Sequence, residues 1–299
     1  MAHNKNKIPR LVVSKGAFSR FLEKNYGYTD LRQYVTSGKF SSRLNSVFLA
    51  KNAEGNEVFV KACRYGDLSE NEYRCTLALW EQAPLHFAKP LAYYSGKRYS
   101  FCSFEYVPGE DLRTIVQRKD ALTGEQRARI VEDIYMIFQA LKRADIVHRD
   151  VALKNMIYHE GRVILIDCQL ATRRTAKEQI SFFDNILKLC MWKWESEPGM
   201  LVLEWSDVMT LMRTLRFIGA DVSYQERYEA VYAEMKSELH TFKYVHPYPS
   251  QKELNHCMKV CKLRGLFHPK AKLRARYRHV LEMLRFFKLH HPEQKVSVD

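Results

Sequence analysis

The sequence of 299 residues lacks any apolar run close to the ~18 residues that a helix needs to cross a bilayer. Its polar first residues are not followed by the apolar stretch of a signal peptide. It has no low-complexity tract, and 46% of its residues are hydrophobic, as in folded globular proteins. We therefore expect a folded protein of the cytoplasm, and neither a membrane-spanning nor a secreted one.

The seven cysteines do not suggest a disulfide framework, because their number is odd. Members such as Cys63, Cys102 and Cys168 lie inside apolar segments. This pattern predicts reduced thiols in the core and a reducing compartment.

Acidic residues are scarce relative to basic ones: 34 Asp and Glu accompany 48 Lys and Arg, which gives a formal net charge of +14. A surplus of this size attracts anions such as nucleic acid, acidic lipid headgroups or phosphorylated sugars. Twelve basic and four acidic residues lie between Lys252 and Asp299, so more than half of the surplus belongs to the last 48 residues.

Basic and apolar residues alternate between Lys270 and Leu281, and Leu284, Phe286 and Phe287 follow. On a helix this pattern gives a basic side and an aromatic side, which suits docking on an anionic membrane or a phosphorylated glycolipid. A helix that packs on the rest of the protein with a solvated basic face explains the pattern equally well. No RNA-binding motif accompanies the charge, so nucleic acid is the less favoured partner.

Short β-branched and aromatic runs occupy the first third of the chain, and helical periodicity dominates the rest. A helix from Gly16 to Tyr34 is predicted first. Two strands, a helix with Ser69 as its N-cap and two more strands are predicted next: Arg43 to Leu49, Glu57 to Ala62, Ser69 to Gln82, Leu91 to Tyr94 and Tyr99 to Val107. Two helices, a strand pair and a mainly helical remainder follow: Asp111 to Gln117, Gly124 to Ala144, Asn155 to Tyr158, Val163 to Ile166, and the chain after Glu178.

One stretch carries the strongest chemical signal. Its polar residues are His148, Arg149, Asp150, Lys154, Asn155 and, after a predicted hairpin, Asp167. The stretch resembles the catalytic and metal-binding loops of the protein-kinase superfamily. The resemblance implies that Asp150 orients or deprotonates an acceptor hydroxyl, and that Asn155 and Asp167 bind Mg²⁺ beside the γ-phosphate of ATP. Polar residues are common in loops, but their joint spacing favours a site.

The same resemblance implies which residues position ATP. Lys61, at the end of a predicted strand, looks like the lysine that grips the α- and β-phosphates. Glu72 on the following helix is its expected partner, and Glu70 is the alternative. A solvated position on an edge strand is the other explanation for Lys61.

Two further contacts to ATP are implied at the hinge and at the phosphate loop. The stretch from Phe104 to Gly109 resembles the hinge between the lobes, where backbone groups of Glu105 and Val107 would bond to adenine. The phosphate loop is expected within Thr36 to Ser42, but this stretch has a single glycine. Ser41 and backbone groups would then form the phosphate cradle.

The segment after Asp167 departs further from the family. Asp167-Cys168-Gln169 stands where Asp-Phe-Gly is expected, so the metal ligand is kept and the Phe-Gly switch is lost. Asp184, only 17 residues after Asp167, resembles the family's helix-anchoring aspartate, and no Ala-Pro-Glu element lies between them. A gap this short leaves no room for a full activation segment and peptide-docking platform, which predicts a non-peptide acceptor.

Among compact kinases without an activation segment, the chain most resembles the bacterial lipopolysaccharide core heptose and Kdo kinases. The shared features are the paired loops, Arg173-Arg174 and the basic tail. This resemblance implies a two-lobed α+β kinase fold, with a leader at 1–34, lobes at 35–104 and 105–220, and a basic helical extension at 221–299. The expected reaction is the phosphorylation, with ATP and Mg²⁺, of an anionic glycolipid sugar at the inner face of the cytoplasmic membrane.

Two other functions stay open. Lys154 lies four residues after Asp150, as the arginine of tyrosine kinases does, which suits a protein kinase that recognises one partner. The lysine could equally balance the charge of the transferring phosphate at the catalytic site. A pseudokinase scaffold that binds membrane or nucleic acid is the third possibility, and the retention of Lys61, Asn155 and Asp167 argues against it.

Overall fold

The computed structural model of the chain describes residues 13–34, 45–63, 66–97, 99–118, 122–174, 204–245, 249–269 and 271–289. These residues fall into two compact units, one within Met1–Arg174 and Ser206–Phe242, the other within Thr175–Trp205 and Lys243–Asp299. Ser41 and Asp184, both singled out from the sequence, lie outside the described residues. None of the described helices is long and apolar enough to span a membrane.

An antiparallel sheet of five strands forms the N-terminal part of the first unit, in the order β1-β2-β3-β5-β4. Its strands are β1 (Thr29–Gln33), β2 (Asn45–Lys51), β3 (Glu57–Cys63), β4 (Pro90–Ser95) and β5 (Ser100–Glu105). Two helices accompany the sheet, α1 (Lys15–Tyr26) and α2 (Gly66–Gln82).

Side-chain alternation along β3 separates the two faces of this sheet. Val58, Val60 and Ala62 are buried in one apolar cluster with side chains of α1 such as Phe18. Lys61 lies on the opposite face, where it contacts α2. A strand with an apolar face on the core thus presents one charged side chain to the other side.

The first helix is shorter than the helix predicted from Gly16 to Tyr34. It ends at Gly27, which adopts the left-handed conformation with φ 67° and caps the helix. The chain then enters β1, where Leu31 is buried against the sheet. The prediction was wrong beyond this glycine because an apolar residue in a short strand also fits a helical spacing.

Helix α2 begins at Gly66, three residues before the predicted start at Ser69. Ser69 is therefore inside the helix and is not its N-cap. Its hydroxyl is buried and bonds to the hydroxyl of Ser100 on β5 at 2.9 Å. A residue type that favours helix starts serves here to fasten the helix to the sheet.

The rest of the first unit is mainly helical. Its elements are β6 (Glu110–Asp111), α3 (Leu112–Gln117), α4 (Gly124–Arg143), β7 (Ile146–Val147), β8 (Met156–His159), β9 (Arg162–Leu165), β10 (Thr172–Arg173), α5 (Asp207–Ile218) and α6 (Gln225–Ser237). Thr123 and Gln126 form a capping box at the start of α4, and Ile130, Ile134 and Phe138 are buried along its length. The predicted α+β fold, with a β-rich N-terminal lobe and a helical C-terminal lobe, is confirmed.

The second unit contains a short antiparallel strand pair and two helices. Strand β11 (Glu204–Trp205) pairs with β12 (Tyr244–Val245). Helices α7 (Gln251–Phe267) and α8 (Ala271–Leu289) pack through a cluster of buried side chains, among them Leu254, Cys261, Val280 and Leu284. Alternating apolar and basic residues thus fold as a helical pair whose apolar sides face each other.

Candidate active site

Lys61 lies between two carboxylates. Its ammonium nitrogen is 3.0 Å from Glu72 Oε1 and 2.5 Å from Asp167 Oδ1. Lys61 and Glu72 are 7% and 3% exposed, so the pair is shielded from water. Glu70, the alternative partner, faces outward and pairs with Arg74. The structure therefore places Glu72 and not Glu70 at Lys61.

Burial and charge act differently on the three groups of this cluster. Burial acts to lower the pKa of Lys61, but the carboxylates of Asp167 and Glu72 outweigh it and hold the pKa above its usual range. Burial raises the pKa of Glu72 to about 7, although Lys61 opposes this shift. Burial also acts to raise the pKa of Asp167, yet the charge and hydrogen bond of Lys61 bring it down to about 2. Asp167 is therefore the carboxylate that stays ionised in this cluster.

A compact loop gathers Asp150, Lys154 and Asn155. The Asn155 amide nitrogen donates to the carbonyl of Asp150 at 2.8 Å and to its Oδ2 atom at 3.0 Å. Lys154 Nζ lies 3.2 Å from the same Oδ2 atom. Asn155 is the last residue of a 3₁₀ turn, Leu153–Asn155, which brings it back towards Asp150. The loop thus holds one carboxylate oxygen between an amide and an ammonium group.

His148 joins this loop to the strand end before Asp167. Its Nδ1 atom faces the backbone N–H of Asp150 at 3.3 Å, and its Nε2 atom lies 3.2 Å from the carbonyl of Ile166. Burial lowers the pKa of His148, although the charges of Asp207 and Asp150 oppose this shift. A neutral ring that accepts at Nδ1 and donates at Nε2 fits both contacts.

Asp207, which the sequence analysis did not single out, anchors the backbone of the same loop. It is fully buried, and its carboxylate accepts the backbone N–H of His148 and, at 2.9 Å, that of Arg149. Arg149 has a positive φ of 64°, a conformation that needs support from its surroundings. An acidic residue in the first turn of α5, directly ahead of the buried Val208, was the available signal.

This contact corrects the assignment of Asp184 as the helix-anchoring aspartate. Asp207 starts a helix and bonds to the catalytic loop, and it follows Asp167 by 40 residues instead of 17. The argument that the gap is too short for an activation segment therefore fails. The prediction of a non-peptide acceptor loses its main support.

A comparison with protein-family models adds independent evidence. Residues 29–182, just over half of the chain, match the family described as protein tyrosine and serine/threonine kinase. The chain belongs to this kinase family. It is also 36% identical over 67 residues to the KEOPS complex subunit Bud32 of Pyrococcus abyssi, a match that covers 22% of this chain and 29% of Bud32. The aligned segment is thus less than a third of that relative.

Family membership supports an ATP-dependent phosphotransferase, and the hinge of this kinase has groups that could contact a nucleotide base. Glu105 ends β5, and its backbone N–H already donates to the carbonyl of Lys89 at 2.9 Å. The backbone N–H of Val107 makes no hydrogen bond to another described backbone group. Adenine contacts at this hinge would therefore use Val107 and, on Glu105, the carbonyl side.

Gly109 closes the hinge by a close approach that only glycine allows. Its φ is 151°, and an added Cβ would lie 2.5 Å from the carbonyl oxygen of Tyr158 on β8. The Pro-Gly pair read from the sequence as the end of a strand thus also seats the hinge against the C-terminal lobe.

Asn155 and Asp167 offer oxygen atoms that suit a divalent metal ion. Asp167 is kept ionised by Lys61, and Asn155 engages Asp150 through its nitrogen, which leaves its amide oxygen for another partner. Among the described residues, no group of three His, Cys, Asp or Glu side chains is placed to hold an ion. An ion here would take most of its ligands from nucleotide and water, as Mg²⁺ commonly does.

Proposed function

We propose that the protein is an ATP-dependent kinase that transfers the γ-phosphate to a hydroxyl group. The observation that carries this proposal is the pairing of Lys61 with Glu72 and Asp167 on one side and the loop of Asp150, Lys154 and Asn155 on the other. Family membership supports both ATP as donor and phosphoryl transfer as reaction.

Each residue has a role that follows from its contacts. Lys61 would hold the α- and β-phosphates while Glu72 fixes its position, and the phosphates would replace Asp167 beside the ammonium group. Asp167 and Asn155 would hold Mg²⁺, which neutralises phosphate charge. Asp150 would orient the acceptor hydroxyl and receive its proton, with Lys154 balancing the charge of the transferring group.

ATP turnover by the purified protein tests this proposal. Asp150→Ala and Asp167→Ala should abolish turnover, while Glu70→Ala, on the exposed side of α2, should leave it unchanged. Turnover that survives both active-site substitutions would contradict the proposal. Absence of nucleotide binding by the wild-type protein would favour a pseudokinase scaffold.

A hydroxyl on a protein is one acceptor class that we propose. Its support is the match to a family of protein tyrosine and serine/threonine kinases, together with the 39 residues that separate Asp167 from Asp207. Lys154, in the place of the tyrosine-kinase arginine, is consistent with it. The acceptor would be one specific partner protein.

An anionic sugar of the lipopolysaccharide core is the second acceptor class, supported by the charge of the C-terminal helices. On α7 the exposed side chains of Lys259, Lys262 and Arg264 lie beside exposed Leu263 and Phe267. Basic and large apolar groups on one exposed surface suit an anionic membrane better than nucleic acid. The protein would then act in the cytoplasm, at the inner face of the membrane.

Radiolabelled ATP separates the two acceptor classes. After incubation with a cell extract that contains membranes, label in extracted glycolipid supports the sugar, and label in a protein band supports the protein. Asp150→Ala is the control for both arms, since label that persists in this variant comes from another kinase.

A further inference from the structure

Asn71, one residue before Glu72 on α2, connects this helix to the turn that follows Asp167. Its amide nitrogen donates to the carbonyl of Ala171 at 2.8 Å and approaches the carbonyl of Gln169 at 3.5 Å. Gln169 lies in the 3₁₀ turn Cys168–Leu170, and Ala171 is the residue after that turn. One side chain of α2 thus binds both ends of the segment that leaves Asp167.

The amide of Asn71 is itself held in one orientation. Its oxygen accepts a hydrogen bond from the thiol of Cys75 at 3.7 Å, one helical turn further on. Burial raises the pKa of Cys75 to about 11, so the thiol keeps its proton and stays a donor near neutral pH. Carbonyl oxygens only accept, so the amide must present its nitrogen to the turn.

The turn that Asn71 holds determines where the Asp167 carboxylate lies. Asp167 has a φ of 69°, in the left-handed region that a residue with a Cβ adopts only when its surroundings hold it there. On the far side of the turn, β10 pairs with β7 just ahead of His148. Asn71 supplies the corresponding attachment to α2.

Glu72 and Asp167 are therefore joined twice. Both contact Lys61, and the helix that carries Glu72 is bonded through Asn71 to the segment that follows Asp167. Neighbouring residues on a helix point about 100° apart, so Glu72 can face Lys61 while Asn71 faces the turn.

We propose that Asn71 is a positioning residue for phosphoryl transfer, which fixes the spacing between Glu72 and Asp167 by tying α2 to the Asp167 turn. This inference rests on the proposed kinase function. In a chain with Cys168-Gln169 in place of the Phe-Gly pair, the tether holds the metal-binding carboxylate in its working position.

Substitutions at Asn71 in the full-length protein test the tether. Asn71→Asp keeps the size of the side chain and removes both donors, and Asn71→Ala does so without adding charge. Both should lower kcat on the order of 10-fold and raise the apparent KM for Mg²⁺, with the KM for the acceptor unchanged. Asn71→Gln, which keeps the donors on a longer arm, should restore part of the rate, and Glu70→Gln on the preceding residue is the matched control.

Amide hydrogen exchange gives a readout that does not depend on activity. The loss of the donor should speed exchange at residues 168–172 and leave the rest of the unit unchanged. Unchanged exchange there, a uniform increase over the whole unit, or faster exchange with unaltered kcat and KM for Mg²⁺ would each overturn the tether. A wild-type protein without ATP turnover would instead contradict the kinase proposal, and hydrogen exchange would still decide whether Asn71 holds the turn.

Discussion

The Oδ1 atom of Asp207 lies 2.9 Å from the backbone nitrogen of Arg149, 58 residues earlier in the chain. The other carboxylate oxygen accepts the backbone N–H of His148, so one buried aspartate satisfies two neighbouring donors. Asp150 follows immediately. The position of the proposed catalytic carboxylate therefore depends on a residue that never touches it.

We expect Asp207→Ala to lower both stability and activity. Each buried backbone N–H left without an acceptor costs about 1–3 kcal/mol, so the two together should lower the free energy of unfolding by roughly 3 kcal/mol. That loss corresponds to a fall in Tm of about 6–12 °C for a unit of this size. Thermal unfolding measures the first effect, and ATP turnover below the new Tm measures the second.

Asp207→Asn and Asp221→Asn make a matched pair that isolates the role of position. Asp221 is an exposed aspartate of the same unit, where it accepts from the backbone and hydroxyl of Ser223. The change at Asp207 should lower Tm and turnover, and the change at Asp221 should alter neither measurably. Equal effects of the two substitutions would show that Asp207 is not an anchor.

Much of the fold could be predicted from local pattern. Strand alternation and the spacing of apolar residues locate β2, β3, α4 and the strand pair β8–β9 within a few residues. The end of α1 was missed because a single glycine in the left-handed conformation decided it. The start of α2 was missed because a buried bond between Ser69 and Ser100 gave a typical capping residue a different use.

The site was only partly predictable because its supports are distant in sequence. Residues of one short loop, such as Asp150 and Asn155, are recognisable by their spacing. Asp207 and Asn71 lie 57 and 79 residues from Asp150, and nothing in their immediate neighbours signals a long-range backbone contact. Asp184 was chosen on local resemblance alone, which is why the anchor was misplaced.

Glu72 and Glu70 lie on the same helix, and their substitution should have unequal consequences. Glu72→Gln removes the charge that holds Lys61 and should lower kcat/KM for ATP about 100-fold, because a preorganised cation is lost from the phosphate site. Glu70→Gln breaks only an exposed pair with Arg74 and should change kcat/KM very little. Steady-state kinetics with varied ATP compares them, and a similar loss in both variants would remove Glu72 from the site.

Lys154 contacts Asp150 and not the Lys61 cluster, which predicts an effect on kcat more than on nucleotide binding. Lys154→Ala should lower kcat on the order of 10-fold or more and leave the Kd for ATP nearly unchanged. Lys142→Ala, which removes another exposed lysine with a carboxylate partner, Glu238, serves as the control. Nucleotide binding by titration and turnover at saturating ATP separate the two quantities, and a loss of affinity without a loss of kcat would reassign Lys154.

The buried thiols offer a test of the fold that needs no substrate. All six described cysteines are buried without a disulfide, and burial raises the pKa of Cys75 from 9.0 to about 11. A shift of this size lowers the thiolate fraction about 100-fold at mildly alkaline pH, and the thiolate is the form that alkylating reagents attack. Cys102 and Cys168 are shifted in the same direction by burial.

Iodoacetamide should therefore modify Cys75 in the native protein at least about 100-fold more slowly than in the denatured chain, with exclusion of the reagent slowing it further. Peptide mapping by mass spectrometry after timed exposure gives the rate at each cysteine. The denatured protein, in which the described cysteines should all react, is the control. Rapid modification of Cys102 in the native protein would mean that the strand beside Glu72 opens to solvent, and the buried Lys61–Glu72 pair would then have to be reconsidered, because the same strand contacts shield both.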